Sequence, residues 1–282
     1  MTSTPTSIAD RRRSFRQLHE SGCFVIPNPW DVGSARYLQS LGFKALATTS
    51  AGFAWSVGRA DNQISRDMAL VHLHSMVGAT ELPINADFER GFASDAAGVA
   101  ESVRLAVEAG VAGLSIEDAT GDVGQPLYTL DVAVERLRAA RRAIDGAGGD
   151  TLLVGRAECF LVGRPDIDET LTRLKAYAMA GADCLYAPGL RSREHISAVV
   201  EAVAPKPVNL LIGWASELTV ADIANLGVRR ISVGGALAGA AWTGFMAAAQ
   251  LLADPGNFDG FKPSPGRELN ALFKSTGSGN GG

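Results

Sequence analysis

An α/β chain closed into a single (β/α)8 barrel is the fold this sequence predicts, and two observations predict it. Strand-like and helix-like segments alternate eight times. One local pattern also recurs: a helical stretch ends at a glycine, a short apolar run follows, then small or polar residues. The pattern stands in "LGFKALATTS" (41–50), "AGVAGLSIED" (109–118), "AGADCLYAPG" (180–189) and "LGVRRISVGG" (226–235). Glycine after a helix takes the left-handed conformation that closes it, here at Gly42, Gly110, Gly181 and Gly227. The first three are spaced by 68 and 71 residues, which is two strand–helix units each at ~30–35 residues per unit.

The strands follow as short apolar runs, too brief for helices. "CFVIP" gives 23–27, then come 45–49, 83–86 around "PIN", 113–116, 152–155 as "LLVG", 184–187, 208–211 as "VNLL", and 230–233. Between them lie helical patterns. "RRR" at 11–13 reads as the solvated start of a first helix. Asp31 reads as the N-cap of "VGSARYLQSLG". In "SDAAGVAESVRLAVEAG" Ala97, Val99, Ala100, Val103, Ala106 and Val107 fall near a 3.6-residue period, with Asp95 or Ser94 as cap. "LDVAVERLRAARRAID" and "IDETLTRLKAYAMAG" read the same way, and Thr219 opens "LTVADIANLG". Alternation of this kind implies a parallel sheet, and eight repeats in about 240 residues imply closure. The competing architecture is an open doubly wound sheet, but no GxGxxG follows the first strand. "GGALAG" at 234–239 follows the last strand; it reads as a tight βα turn, with a phosphate cap as the alternative. One domain spans 1–282, with a flexible polar tail, "STGSGNGG", at about 275–282.

Composition removes several functions. With 46% hydrophobic residues, 20% charged residues and a net charge of −4, there is no basic footprint for nucleic acid. Three cysteines without CxxC pairing (Cys23, Cys159, Cys184) fit a reducing compartment. No apolar run reaches the ~18 residues a bilayer requires, and the first residues lack a secretory h-region. The expectation is a cytoplasmic chain without nucleic-acid or membrane partners.

In a barrel of this type the chemistry stands on loops after the strands' C-terminal ends. Ser50, Ala51, Gly52 and then Asp61 follow the second strand. Asp87 and Glu89 follow the third, Glu117 and Asp118 the fourth, Arg156 and Glu158 the fifth, and Asn209 stands at the seventh. Crowded carboxylates need a neutralising partner. A hard divalent cation, Mg²⁺ with Mn²⁺ as substitute, serves through one or two direct carboxylates and water. Arg156 offers a planar fork for a substrate carboxylate, and Ser50 with the N–H groups of Ala51 and Gly52 could receive the same group. The competing reading is a set of ordinary ion pairs with Arg59, Arg90 and Arg156. Trp30 either lines the site or packs under it. His72 and His74 lie two apart on a helix and so face apart; they, His19 and His195 read as structural or surface residues. Cys159 reads as a packed thiol.

"PNPWDVGSARYLQSLGFKALATTSAG", "NADFERGF", "LSIEDATG", "GRAECF" and "GADCLYAPG" stand in an order and spacing that resemble the isocitrate lyase / phosphoenolpyruvate mutase superfamily over about residues 15–250. The resemblance implies a TIM-type barrel whose last helix is swapped between subunits of a homodimer or homotetramer. It implies Mg²⁺ and enolate-like chemistry on a small 2-oxo or 2-hydroxy carboxylate. By motif position, Ser50 and Gly52 would hold the substrate carboxylate and Arg156 a substrate oxygen. Asp61, Asp87 and Glu117 would serve the metal, with Glu89 and Asn85 beside them. Asn85 stands where the family often has an acid. The KKCGH loop of the isocitrate and methylisocitrate lyases is missing. No lysine follows Glu117-Asp118, as it does in the mutase and phosphonopyruvate hydrolase branches. Segment 119–130 matches a gating loop in place; Tyr128 within it and Glu158 are acid–base candidates alongside Glu117. The expected activity is a Mg²⁺-dependent C–C lyase or decarboxylase of a small (di)carboxylate. The alternatives are a phosphonopyruvate-type hydrolase or mutase, and a barrel that only binds a 2-oxo acid.

Overall fold

The computed structural model describes residues 6–254 and 256–275. Of the expected tail, 276–282 lies outside the described residues. Eight parallel strands form one sheet: β1 (Phe24–Ile26), β2 (Leu46–Ala47), β3 (Ile84–Asp87), β4 (Gly113–Glu117), β5 (Leu152–Arg156), β6 (Cys184–Tyr186), β7 (Val208–Leu211) and β8 (Arg230–Ser232). Each pairs with its neighbour in chain order, and β1 pairs with β8. Between β1 and β2 the Ala47 N–H donates to the Pro27 carbonyl at 3.0 Å, which closes the ring. The barrel prediction is borne out strand by strand. β2 is shorter than the expected 45–49 because Thr49 leaves the strand to cap the next helix, accepting from Gly52 N–H at 3.3 Å.

Helices alternate with the strands: α1 (Ile8–Leu18), α2 (Val32–Ser40), α3 (Ser50–Ser56), α4 (Arg66–Ala79), α5 (Ala96–Glu108), α6 (Leu130–Gly146), α7 (Ile167–Met179), α8 (Arg193–Val203), α9 (Val220–Asn225), α10 (Ala236–Ala253) and α11 (Gly266–Ser275). The caps read from the sequence are present. Asp31 accepts from Ser34 N–H, Asp95 from Gly98 N–H and Thr219 from Asp222 N–H. Each such cap satisfies a donor that the first helical turn leaves open, worth about 1 kcal/mol. Gly42, Gly110, Gly181 and Gly227 have φ of 85°, 92°, 102° and 86°, where a Cβ would be strained.

The main core lies between sheet and helices, with Leu114, Ile116, Val103, Leu137, Leu174 and Leu210 among its fully buried members. A second cluster plugs the bottom, where α1 drives Phe15 against Ile26, Ala112 and Leu152. A Cβ on Gly113 would stand 2.7 Å from Phe15 Cε1, so that glycine makes room for the plug. The barrel interior is polar above it: Asn85, Ser115, Asn209, Arg230 and Ser232 are all buried.

The structural reading of His19 holds, and one other sequence reading is corrected. His19 is a buried member of the plug; its Nδ1 bonds the Phe15 carbonyl at 2.8 Å and its Nε2 faces Arg230 Nη1 at 3.3 Å. And α10 does reach the length excluded from the sequence. It has 18 residues, no charge and a mean hydropathy of 1.4, with 6% of it buried. By length and composition alone it is apolar enough to cross a membrane. Leu237, Trp242, Phe245 and Met246 stand exposed along it.

His72 stacks on Phe53 with ring centroids 3.9 Å apart, and its Nε2 is buried without a partner. Burial depresses its pKa to about 4 and that of His19 to about 3. Between those values and the unfolded value near 6.5 the unfolded chain binds the extra protons. Stability is therefore complete above about pH 6.5 and lost as pH falls below it. Urea midpoints measured from pH 7.5 to 4.5 are expected to fall, and His72→Phe, which removes one titrating ring, to flatten the slope.

Candidate active site

Parallel strands aim their C-terminal ends at one rim, so residues far apart in sequence meet there. Arg156, the last residue of β5, occupies the centre. Its Nη1 is 3.1 Å from Asp87 Oδ1 and 3.3 Å from Glu117 Oε2, and its Nε bonds Glu158 Oε1. The Tyr186 ring lies under the guanidinium, 5.1 Å from centroid to Cζ. Strand register explains the convergence, since Glu117 pairs with Arg156 and Arg156 with Tyr186 across adjacent strands.

Asp87 is fixed from two sides: its N–H donates to Thr48 Oγ1 at 2.9 Å, and its Oδ2 accepts from Ser50 N–H at 3.0 Å. Asp61 is hydrogen-bonded by the Ser50 side chain and by Asn62 N–H. Glu89 is buried, with its backbone at φ 47° and its carbonyl accepting from Glu117 N–H at 3.0 Å. Burial, and then the charge of Asp87, push the Glu89 carboxyl up to about 7. Burial also raises Asp61, Glu158 and, most strongly, Glu117, against the opposing pull of Arg156 on each of the three. Of the three arginines offered for ordinary ion pairing, only Arg156 meets these acids. Arg59 bonds the Gln63 carbonyl and Arg90 the Asn62 side chain.

A cavity of about 520 Å³ opens over this cluster, lined by Ser50, Asp61, Glu89, Glu117, Arg156 and Glu158. Segment 119–130 forms one wall. It folds back on itself through an Ala119–Leu127 bridge and a Thr120 N–H bond to the Pro126 carbonyl, and Val123 at its tip is 97% exposed. A narrower cavity of about 160 Å³ continues from Ser50 and Arg156 down the barrel axis to Asn209 and Arg230.

Other expected site residues stand elsewhere. Tyr128 packs beneath the Arg136 guanidinium, 4.4 Å from centroid to Cζ, and does not line the mouth. Gly52 spends its N–H on the Thr49 cap, and a Cβ there would strike Thr49 at 2.7 Å and Trp30 at 3.0 Å. Its role is thus to let α3 pack on Trp30, which lies under the site. Of the two N–H groups expected to receive a carboxylate, those of Ala51 and Gly52, only that of Ala51 has no partner among the described residues, while Ser50 N–H is taken by Asp87. Asn85 and Asn209 point into the lower cavity, where both side-chain oxygens accept from Arg230. Cys159 is a buried, packed thiol.

Sequence reasoning missed the support behind Glu158. Asp118 Oδ1 accepts from Glu158 N–H at 2.8 Å, while its Oδ2 takes Tyr177 Oη at 2.5 Å and Arg173 Nη1 at 3.1 Å. Asp118 was legible as an acid after β4. Its direction, away from the mouth, is set by α7, which carries both partners.

Among the described residues no three His, Cys, Asp or Glu side chains converge in direct-ligand geometry. Asp61, Glu89, Glu117 and Glu158 nevertheless line the mouth cavity, and Asp87 lines the narrower one that continues from it, with Arg156 bordering both. That excess of hard oxygen donors fits a divalent cation held by one or two of them and by water.

The comparisons with known proteins agree with this arrangement. The family model for phosphoenolpyruvate phosphomutase matches residues 15–253. The chain belongs to the phosphoenolpyruvate mutase/isocitrate lyase superfamily. An oxaloacetate decarboxylase of Paraburkholderia xenovorans (strain LB400) is 30% identical over 230 residues, covering 78% of this chain and 74% of that one. A crystal structure of a Burkholderia cenocepacia J2315 protein is 47% identical with a TM-score of 0.91, covering 95% and 97% of the two chains. Oxaloacetate acetylhydrolase in complex with the product oxalate is 27% identical with a TM-score of 0.82, covering 99% and 100%.

Removing the acceptor of a buried, charged hydrogen bond costs about 1–3 kcal/mol, and Arg173 keeps a second carboxylate in Glu169. Asp118→Ala leaves Arg173 and Tyr177 facing each other without their shared acceptor. Its unfolding free energy in guanidinium is expected to drop by about that amount, and that of Asp118→Asn by less.

Proposed function

We propose that this chain is a Mg²⁺-dependent C–C lyase or decarboxylase acting on a small 2-oxo dicarboxylate, with oxaloacetate as the first acid to test. The observation that carries the reading is the Arg156 cluster: one guanidinium among Asp87, Glu117 and Glu158, with Asp61 and Glu89 facing the same cavity. Two of the relatives above bear names that refer to oxaloacetate.

Asp87 is the residue we assign to direct metal contact, with Asp61, Glu89 and Glu117 holding its waters. When bound, the ion would supply positive charge beside the C2 carbonyl oxygen, where negative charge develops as the C3–C4 bond breaks. The other roles belong to the chain. Arg156, already committed to three carboxylates, reorients little to take a substrate oxygen, so its donors are pre-aimed. Ala51 N–H offers one further donor to the substrate carboxylate. The 119–130 segment, closing over the cavity, would keep bulk water from the enolate. When CO₂ leaves, the electron pair of the broken bond passes into the C2–C3 enolate, which needs a proton at C3. Glu117 and Glu158, whose hold on a proton burial strengthens, are the groups we assign to deliver it.

We assign α10 to a second copy of the chain. Its exposed Trp242, Phe245 and Met246 and its lack of charge suit a helix packed on a partner barrel, and a homodimer or homotetramer in the cytoplasm is the corresponding assembly.

Oxaloacetate and phosphonopyruvate, each assayed with Mg²⁺, with Mn²⁺ and with EDTA, test the reaction. Turnover of oxaloacetate alone, abolished by EDTA and reduced at least ~1000-fold in Asp87→Ala, is expected, since removing a charge-stabilising group costs on this scale. Full activity of that variant would remove the reading. For the assembly, Phe245→Asp combined with Met246→Asp is expected to shift the mass seen by light scattering from oligomer to monomer.

A further inference from the structure

The narrow cavity below the mouth ends on a charged group that the chemistry above does not use. Arg230 opens β8 and points into the barrel, 2% exposed. Its Nε donates to Asn209 Oδ1 at 2.8 Å, and its Nη1 donates to Asn85 Oδ1 at 3.3 Å and faces His19 Nε2 at 3.3 Å. Every one of these partners is neutral. His19 Nδ1 lies 2.8 Å from the Phe15 carbonyl, which can only accept, so Nδ1 carries the proton and Nε2 offers a lone pair to Arg230. No carboxylate lies within ion-pair distance of Arg230 among the described residues. Asp183 is paired with Arg141 at 3.0 Å, and Asp87 with Arg156 at 3.1 Å.

A buried guanidinium without a counter-ion is costly. Two other arginines are as deeply buried, and both are satisfied where no cavity reaches them: Arg173 by Asp118 and Glu169, and Arg136 by the carbonyls of Arg90, Ala93 and Ser94. Arg230 instead borders a cavity of about 160 Å³ that runs up to Arg156 and Ser50. The hydroxyls of Ser115 and Ser232 also border it. The volume takes a small acid of a few carbons, and the planar fork of a guanidinium suits a carboxylate.

We propose that Arg230, with Asn209 and Asn85, forms a carboxylate subsite at the inner end of the barrel cavity that receives the distal carboxylate of a dicarboxylate whose other end is held at Arg156. The inference rests on the proposed oxo-acid chemistry only for the choice of acid. Arg230 is then the residue that selects dicarboxylates over monocarboxylates. Its missing counter-charge is supplied by the ligand, and the three neutral partners hold the guanidinium in place until the ligand arrives.

The test compares malate with lactate, which share a 2-hydroxy acid end and differ in the distal carboxylate. Dissociation constants are measured by calorimetry on the full chain with Mg²⁺, without turnover. Wild type is expected to favour malate over lactate by roughly 10- to 100-fold, the range of a hydrogen bond to a charged group. Arg230→Gln is expected to weaken malate by that factor and leave lactate within about twofold, and Arg230→Lys to restore part of the preference. Asn209→Asp is the second variant, needed if Arg230→Gln does not fold. It keeps the arginine but gives it an internal counter-ion, and the preference for malate is expected to vanish. A wild type that binds neither acid or binds both equally overturns the subsite. So does a folded Arg230→Gln or Asn209→Asp chain that keeps the preference. Failure of oxaloacetate turnover with the malate preference intact would instead count against the proposed reaction alone.

Discussion

The rim of this barrel depends on one balance of charge: Arg156 against the carboxylates around it. Asp87, Glu117 and Glu158 each lie within reach of its guanidinium. Carboxylates gathered so closely repel one another and lose hydration, and the guanidinium offsets both costs. The strands dictate the meeting. A parallel barrel puts the last residues of β3, β4 and β5 side by side, and the side-chain period of two sends alternate residues inward. Here β3 and β4 end on acids, Asp87 and Glu117, and β5 ends on the cation that meets them, Arg156. The chain supplies a single arginine for five acids, and the remaining negative charge is what makes a divalent ion fit.

A second ring of contacts outside the barrel stands behind Glu158, one of the acids that Arg156 meets. Asp118 fixes the backbone of Glu158, and Arg173 and Tyr177 on α7 fix Asp118. Glu169 in turn bonds Arg173 at 2.8 Å. The site geometry is therefore tied to helix packing, and α7 is a structural helix whose inner face carries polar groups. Left-handed backbone at Asn62, Glu89 and Phe92, none of them glycine, falls in the loops after β2 and β3. Such conformations persist where neighbours over-determine them, and here they turn carboxylates toward the mouth.

Most of the fold was legible because it rests on local rules. Terminal glycines, caps and apolar runs marked the helices and strands without knowledge of any contact. Asp61, Asp87, Glu89, Glu117, Arg156 and Glu158 were legible because chain position at a strand end, joined to barrel topology, fixes their side of the molecule. What could not be read depends on rotamer and packing. Tyr128 belongs to the right segment but turns onto Arg136 on α6. The N–H group of Gly52 stands in the right place but is consumed by Thr49. Asn85 and Asn209 read as members of the rim, yet their side chains serve the cavity below. Arg230 is one of two arginines in "VRRIS"; strand alternation sends one of the pair inward, and local sequence does not mark which.

That buried arginine shows how the two levels of the barrel differ. At the rim, acids outnumber the cation and the shortfall is positive charge. One layer down, Arg230 faces only amide and imidazole groups and the shortfall is negative. Both shortfalls open onto continuous space between the same strands. A chain selected for stability alone would fill a barrel interior with branched apolar side chains, as the surrounding core between sheet and helices does. Here the interior instead carries Asn85, Ser115, Asn209, Arg230 and Ser232, and a plug of Phe15 and His19 seals it from below. The apolar packing that stabilises the fold has been moved outside the sheet. The space inside is left with opposite unmet charges at its two ends, an arrangement that suits a small molecule needing a cation beside one end and an arginine at the other.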